Sequence, residues 1–176
     1  FRRSMDVNLF GMATVIRHVM PHLRRQQSGH IINISSSMGY IGHAKTGSYN
    51  AAKFAVIGLS EALAQEVQPF GIRGTVVAPG MFRTNFMSSS TLAVAQTKIE
   101  AYATAEHVKM LQGFDGQQPG DPTKLANVLY AISHLAEPPL HLPLGTDSYQ
   151  AIVDRRKREA QVLAQWKHLS ESTNFD

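Results

Sequence analysis

The stretch His30-Ile31-Ile32-Asn33-Ile34-Ser35-Ser36-Ser37 leads through a glycine-spotted loop to Tyr49-Asn50-Ala51-Ala52-Lys53, and from there to Phe70. Ile31, Ile32 and Ile34 make a short β-branched run, bounded by Gly29 and by serines. Such a run predicts a strand buried on both faces. From Tyr49 onward, Ala, Phe, Val, Ile and Leu recur at helical spacing, and Glu61, Gln65 and Gln68 share one polar stripe. This predicts a helix with one wet edge. Tyr49 and Lys53, four residues apart, lie on one helix face. An ammonium beside a phenol favours the phenolate and pulls the tyrosine pKa down from about 10, which makes the pair a proton-transfer device.

These residues resemble the classical short-chain dehydrogenase/reductase family. Its members open a helix with Tyr-x-x-x-Lys and place a serine some thirteen residues earlier, at the end of the preceding strand, which corresponds to Ser36. Gly39 stands where the family's Ser-x-x-Gly loop has its glycine, and Met5-Asp6-Val7-Asn8-Leu9-Phe10-Gly11 resembles its Asn-x-x-Gly helix segment, with Asn8 as the match. Pro79-Gly80-Met81-Phe82-Arg83-Thr84 resembles the Pro-Gly-x-x-x-Thr loop that touches the nicotinamide and a nearby phosphate. Gly74-Thr75 departs from the Val-Asn that many members carry.

The resemblance implies an α/β fold with a doubly wound, Rossmann-type parallel sheet in three α/β/α layers, of which the 176 residues form the second half as a single domain. No Gly-x-x-x-Gly-x-Gly or Gly-x-Gly-x-x-Gly opening follows a strand in this sequence. The chain is therefore expected to be the C-terminal portion of a larger protein, with the adenosine side of the cofactor on residues before Phe1. The resemblance further implies NAD or NADP as cofactor, and an alcohol or ketone as substrate. In it Tyr49 serves as acid/base, Lys53 lowers the tyrosine pKa and holds the nicotinamide ribose, and Ser36 polarises the substrate oxygen. Asn8 opens its helix and holds a water leading to Lys53, while Pro79, Gly80 and Thr84 contact the cofactor. A homodimer or homotetramer is expected on the same ground. The alternative is a scaffold or regulator of the same fold that binds dinucleotide without turnover.

With 43% hydrophobic residues the chain can bury one real core. It has no cysteine, hence no disulfide framework and no thiolate chemistry, which fits a reducing compartment and a cytoplasmic location. No apolar run reaches the roughly 20 residues of a membrane span, and no signal-peptide pattern opens the chain. The net charge of +4 and the pI near 9.5 favour weak attraction to anions, without pointing to nucleic acid.

Residues 5 to 25 read as a helix, with Val7, Phe10, Gly11, Thr14, Val15, His18, Val19 and His22 approximating one face. Pro21 argues for a kink or late break, and Gly29 for the terminator. His18 and His22 have metal-ligand spacing but no carboxylate partner, so no metal site is expected. Pro69-Phe70-Gly71 ends the helix begun at Tyr49, Arg73 to Ala78 is the next buried strand, and Pro79-Gly80 ends it. Residues 81 to about 118, rich in Phe and Met, correspond to the family's substrate lid, and their apolar content suits a hydrophobic substrate. Packing of a helix pair onto the core explains them equally well. Asp121-Pro122 opens another helix. Leu140 to Gly145 makes a last, edge strand because of Pro143. Thr146 or Asp147 can cap the final helix. Arg155-Arg156-Lys157-Arg158, between Asp154 and Glu159, reads as a solvated helix face rather than a nucleic-acid patch.

Overall fold

A computed structural model describes residues 1–94, 97 and 99–175. Three strands form one parallel sheet in the order β1 (Gly29–Ile34), β2 (Ile72–Pro79), β3 (His141–Leu144). The amino-terminal helix runs as α1 (Arg2–Met5), a π turn (Asp6–Phe10) and α2 (Gly11–Gln26). Next come α3 (Gly47–Val67) between β1 and β2, α4 (Thr104–Gly113) and α5 (Pro122–Ser133) between β2 and β3, and α6 (Thr146–Glu171) after β3. Long helical crossovers are what parallel strands require.

The middle strand shows why the sheet needs helices on both sides. Val76, Val77 and Ala78 are each 0% exposed, and consecutive strand residues point to opposite faces. Both faces of β2 are therefore covered, as the α/β layering requires. The even positions of β2 meet α3: Gly74 leaves room for Ala64, whose Cβ would lie 3.1 Å from a Cβ at that glycine. On the other face, Arg73 donates to the carbonyls of Leu135 and Ala136 at 2.6 and 2.7 Å, just beyond α5, and Thr75 Oγ1 donates to Pro139 O at 2.7 Å.

β1 departs from its expected two-faced burial. Ile31 and Asn33 are buried, Ile31 with Leu63, Val67 and Ile72, whereas Ile34 is 43% exposed and Ile32 only half-buried. α2 and α3 supply apolar cover to the Ile31 side alone. Asn33 is buried there because its Nδ2 donates to Ser60 Oγ at 2.9 Å, and Ser60 in turn donates to Val56 O at 2.7 Å.

α2 also turns a different face inward from the one expected. Leu9, Met12, Ile16, Met20 and Leu23 pack on the core, while Val7, Phe10, Val15 and Val19 stay exposed. The apolar residues of α2 form one wide stripe, and the sheet takes the Ile16 side of it while the Val15 side stays exposed. The helix also continues through Pro21 to Gln26, forgoing only the one bond that the missing N–H would have made. Its end is Gln27 in the left-handed region at φ 53°, with Gln27 Nε2 donating to Arg24 O at 2.7 Å, so Gly29 is not the terminator.

Other boundaries follow local chemistry. α3 gives way to a 3-10 turn over Gln68–Phe70 and to Gly71 at φ 67°, where a Cβ would lie 2.5 Å from Gln27 O. Asp121 caps α5 by accepting from the amides of Thr123 and Lys124, with Pro122 in the first turn. The cap of α6 is Gly145, without a side-chain bond; neither Thr146 nor Asp147 fills that role, because the Asp147 carboxylate accepts from the Met81 amide at 2.7 Å instead. Tyr40 Oη and His141 Nδ1 are bonded at 2.6 Å, and His141 Nε2 lies 3.3 Å from Glu61, tying the loop after β1 to β3 and α3. Burial pushes the Tyr40 phenol up to about 12, with Arg156 opposing and Glu61 adding to the rise.

The segment expected as a lid contains short 3-10 turns at Asn85–Met87 and Glu100–Tyr102 and the helix α4. Its residues 95, 96 and 98 lie outside the described residues. Phe86, Val94, Ile99, Tyr102, Met110 and Phe114 are exposed, whereas Phe82, Met87, Leu92, Val108 and Leu111 are half-buried. No described helix is long and apolar enough to cross a membrane.

Two substitutions in the full-length protein test this account by chemical denaturation. Gly39→Ala is expected to cost about 2 kcal/mol, because the new Cβ would meet Ser35 Oγ, Lys53 O at 2.7 Å and Ile57 Cδ1 at 2.8 Å; an unchanged midpoint would refute that close approach. Asp121→Ala is expected to cost about 1 kcal/mol through loss of the α5 cap, and Asp121→Asn much less.

Candidate active site

The carboxyl end of β1 turns into a tight loop. Ser35 continues the sheet by donating its amide to Val77 O at 2.7 Å, and its buried hydroxyl donates to Lys53 O at 2.9 Å. Ser36 is extended and caps a 3-10 turn over Ser37–Gly39, its Oγ accepting from the Met38 amide at 3.2 Å. Gly39 lies directly against α3, which is why no side chain fits there. The loop then returns to Gly47, where α3 begins and presents Tyr49 and Lys53 one turn apart.

Ser36, Tyr49 and Lys53 converge. Ser36 lies near enough to the Tyr49 phenol to act against the rise in its pKa, and Lys53 Nζ lies 5.6 Å from the centre of the Tyr49 ring. Lys53 Nζ also donates to Ile34 O at 3.1 Å, anchoring the ammonium at the strand end. The electrostatics differ from the expectation that Lys53 brings the phenol down. Burial raises the Tyr49 pKa above its ordinary value, and the nearby Ser36 side chain only partly opposes it. Burial likewise lowers the Lys53 pKa. Burial is the largest cause of both shifts, because each charged form loses water when enclosed.

Asn8 sits within the π turn, and its Nδ2 donates to Ser4 O at 3.1 Å. The regular α-helical bonding is interrupted around Asn8 by this π turn. Asn8 lines a cleft of about 530 Å³ between α2 and β1 together with Ile34, the residue whose carbonyl receives Lys53.

Pro79 and Gly80 end β2 at the same carboxyl edge, with the Gly80 amide donating to Leu144 O at 2.8 Å. A Cβ at Gly80 would collide with the Asp147 carboxylate. Thr84 is exposed and caps the 3-10 turn Asn85–Met87, accepting from the Phe86 amide at 3.3 Å. Two residues on, the Phe86 ring stands 5.7 Å from the Tyr49 ring, so the segment after β2 reaches the phenol. His18 and His22 gather no carboxylate, and no group of three or more His, Asp or Glu that could hold a metal ion occurs among the described residues.

Sequence reasoning passed over three groups at this site. Ser35 was one of three adjacent serines, with nothing to single out its hydroxyl as the tie to α3. Asn50 is buried behind Tyr49 and bonded to the loop on every side. Asp147 carries the signal of a helix cap but clasps the Met81 amide.

The architecture recurs in known proteins. The model of the short chain dehydrogenase family matches residues 1–95. Oxidoreductase BOA17 of Botryotinia fuckeliana is 36% identical over 97% of this chain and 62% of its own length. A crystal structure of a short-chain dehydrogenase from Streptomyces avermitilis superposes with a TM-score of 0.86 at 32% identity, over 97% of this chain and 62% of that one. A 3-oxoacyl-[acyl-carrier protein] reductase from Brucella melitensis with bound NAD superposes with a TM-score of 0.57 at 28% identity, over 81% of this chain and 49% of that one. The chain thus spans about 62% of the length of the first two. That family model spans more than half of the chain, and the chain belongs to the short chain dehydrogenase family.

Proposed function

We propose that the intact protein is an oxidoreductase that uses NAD or NADP to interconvert an alcohol and a ketone. The observation that carries this reading is the gathering of a hydroxyl, a phenol and an ammonium at the carboxyl end of β1. In parallel α/β sheets that edge is where ligands bind. The donor set suits a dinucleotide: among the described residues Lys53 Nζ makes one hydrogen bond, to Ile34 O, leaving two N–H groups for ribose hydroxyls. The Brucella reductase noted above, which binds NAD, supports the same cofactor class.

The nicotinamide supplies or accepts the hydride; the protein supplies the proton and the geometry. Tyr49 donates a proton to the substrate carbonyl oxygen in reduction and takes the hydroxyl proton in oxidation. Ser36 donates to that same oxygen and polarises it. Lys53 holds the ribose and offsets part of the cost of charging the buried phenol. Asn8, in the opened helix turn, holds a water on the way to Lys53. Pro79, Gly80 and Thr84 line the cofactor's nicotinamide end. Residues 81 to 118 close over the substrate as a lid, and exposed Phe86, Met110 and Phe114 fit a hydrophobic one. The exposed apolar residues Val15 and Val19 of α2, and Phe54 and Leu59 of α3, suit a homodimer or homotetramer interface. The reading as a single-domain cytoplasmic enzyme belongs to the same proposal.

In the full-length protein, Tyr49→Phe is expected to abolish nearly all turnover while leaving folding and dinucleotide binding intact. Absorbance at the reduced-nicotinamide band with a panel of ketones and alcohols measures this. Retained turnover in Tyr49→Phe rules out the phenol as acid/base, and dinucleotide binding by the unsubstituted protein with no absorbance change across the panel points to the scaffold instead.

The raised Tyr49 pKa sets the sign of a pH dependence. Reduction needs the protonated phenol, which persists below its pKa, so its rate is expected to stay flat through neutral pH and fall only above the ordinary tyrosine value of 10.0. Oxidation needs the phenolate and is expected to climb with pH over the same range. An oxidation rate that levels off near neutrality would show that Tyr49 is not the titrating group.

A further inference from the structure

The loop from Ser36 to Thr46 joins two of the three groups assigned to chemistry above, and its own bonds make only short turns. Gly42 has open space around it, and Lys45 is in the left-handed region at φ 69°. Besides the close approach of Gly39 to α3 and the Tyr40–His141 bond, one side chain of α3 holds the loop. Asn50 Nδ2 donates to Met38 O at 2.7 Å and to Ile41 O at 2.8 Å. Asn50 Oδ1 accepts from the His43 amide at 3.2 Å and from Thr46 Oγ1 at 2.7 Å. Two donors and two acceptor sites are all that a carboxamide has, so every one is used. Asn50 is 7% exposed, and its four partners are spread over nine residues of loop.

We propose that Asn50 is a positioning residue that sets Ser36 against Tyr49 by pinning the loop between them to the helix turn that carries the phenol. This rests on the functional reading above, in which Ser36 and Tyr49 grip the same substrate oxygen. Met38 O, held by Asn50, is two residues from Ser36, whose Oγ accepts from the Met38 amide. Asn50 also follows Tyr49 directly in the chain. Pinning both ends of the span to one carboxamide fixes the separation of the two reacting-side hydroxyls. Loss of about 1 Å in such a separation can cost on the order of 10²-fold in rate.

The experiment is a double-mutant cycle in the full-length protein with its dinucleotide. Asn50→Ala is expected to lower kcat by about tenfold to 10²-fold, to leave the dinucleotide Kd within about twofold, and to speed amide hydrogen exchange over residues 38–46. In a Ser36→Ala background the same change is expected to lower kcat by less than about threefold, because the hydroxyl it positions is gone. A merely structural role predicts equal losses in both backgrounds, and that outcome overturns the proposal, as does an unchanged kcat with a loosened loop. Should Asn50→Ala fail to fold, Asn50→Asp keeps size and shape but removes the two donors, and the same cycle applies. Tyr49→Phe separates the two levels. If it retains turnover, the catalytic reading falls and the positioning role falls with it. If it loses turnover while the cycle is additive, only the role of Asn50 is overturned.

Discussion

The site depends on how closely the backbone after β1 lies against α3. Gly39 is in contact with Ser35, Lys53 and Ile57 at distances that leave no space for even a methyl group. The Ser35 hydroxyl crosses the same seam to Lys53 O. A loop and a helix separated by a side chain would put Ser36 and Tyr49 out of reach of each other. Their convergence is therefore a consequence of backbone packing before it is a matter of side-chain chemistry. Asn33 and Ser60 continue that seam down into the core as a satisfied polar pair, which gives β1 and α3 one specific register rather than a merely apolar contact.

Desolvation governs the chemistry of the pair. A phenol whose pKa burial raises holds its proton, and an ammonium whose pKa burial lowers gives one up more readily. Both shifts have the same origin, the loss of water around a charged form. The arrangement as it stands suits a proton donor. Ser36 is the counterweight, since its side chain near Tyr49 acts against the rise.

How much could be read from the chain depended on how local each determinant was. Tyr49 and Lys53 are joined by one helix turn, Asp121 and Pro122 by one cap, and Gly71 by one left-handed residue; each was legible because its partner is nearby in sequence. Ser36 came from the family resemblance, which places a serine some thirteen residues before the tyrosine, and it stands just beyond β1 as the cap of the next turn. The inward face of α2 was not, because Val7, Phe10, Val15 and Val19 are as apolar as Ile16, Met20 and Leu23, and only the sheet decides between them. β1 looked buried on both faces because a β-branched run does not record which face has cover. Asn50 and Asp147 escaped because their partners are mostly backbone groups of distant or irregular segments, which carry no residue-type signature. The apolar residues after β2 were readable as apolar but not as exposed.

The π turn at Asp6–Phe10 has a consequence for phase. A turn of this kind holds one residue more than an α turn, which advances everything after it by roughly 100° about the axis. Ile16, Met20 and Leu23 face the sheet with that offset included, and Asn8 opens towards the Ile34 strand end from within the offset itself. Rewinding the same residues as a regular α turn would swing the exposed Val15 stripe towards the core in place of the Ile16 stripe, whereas removing one residue together with the bulge would leave Ile16 facing the sheet. The irregularity that opens the helix at Asn8 is thus the same one that decides which half of α2 the sheet receives.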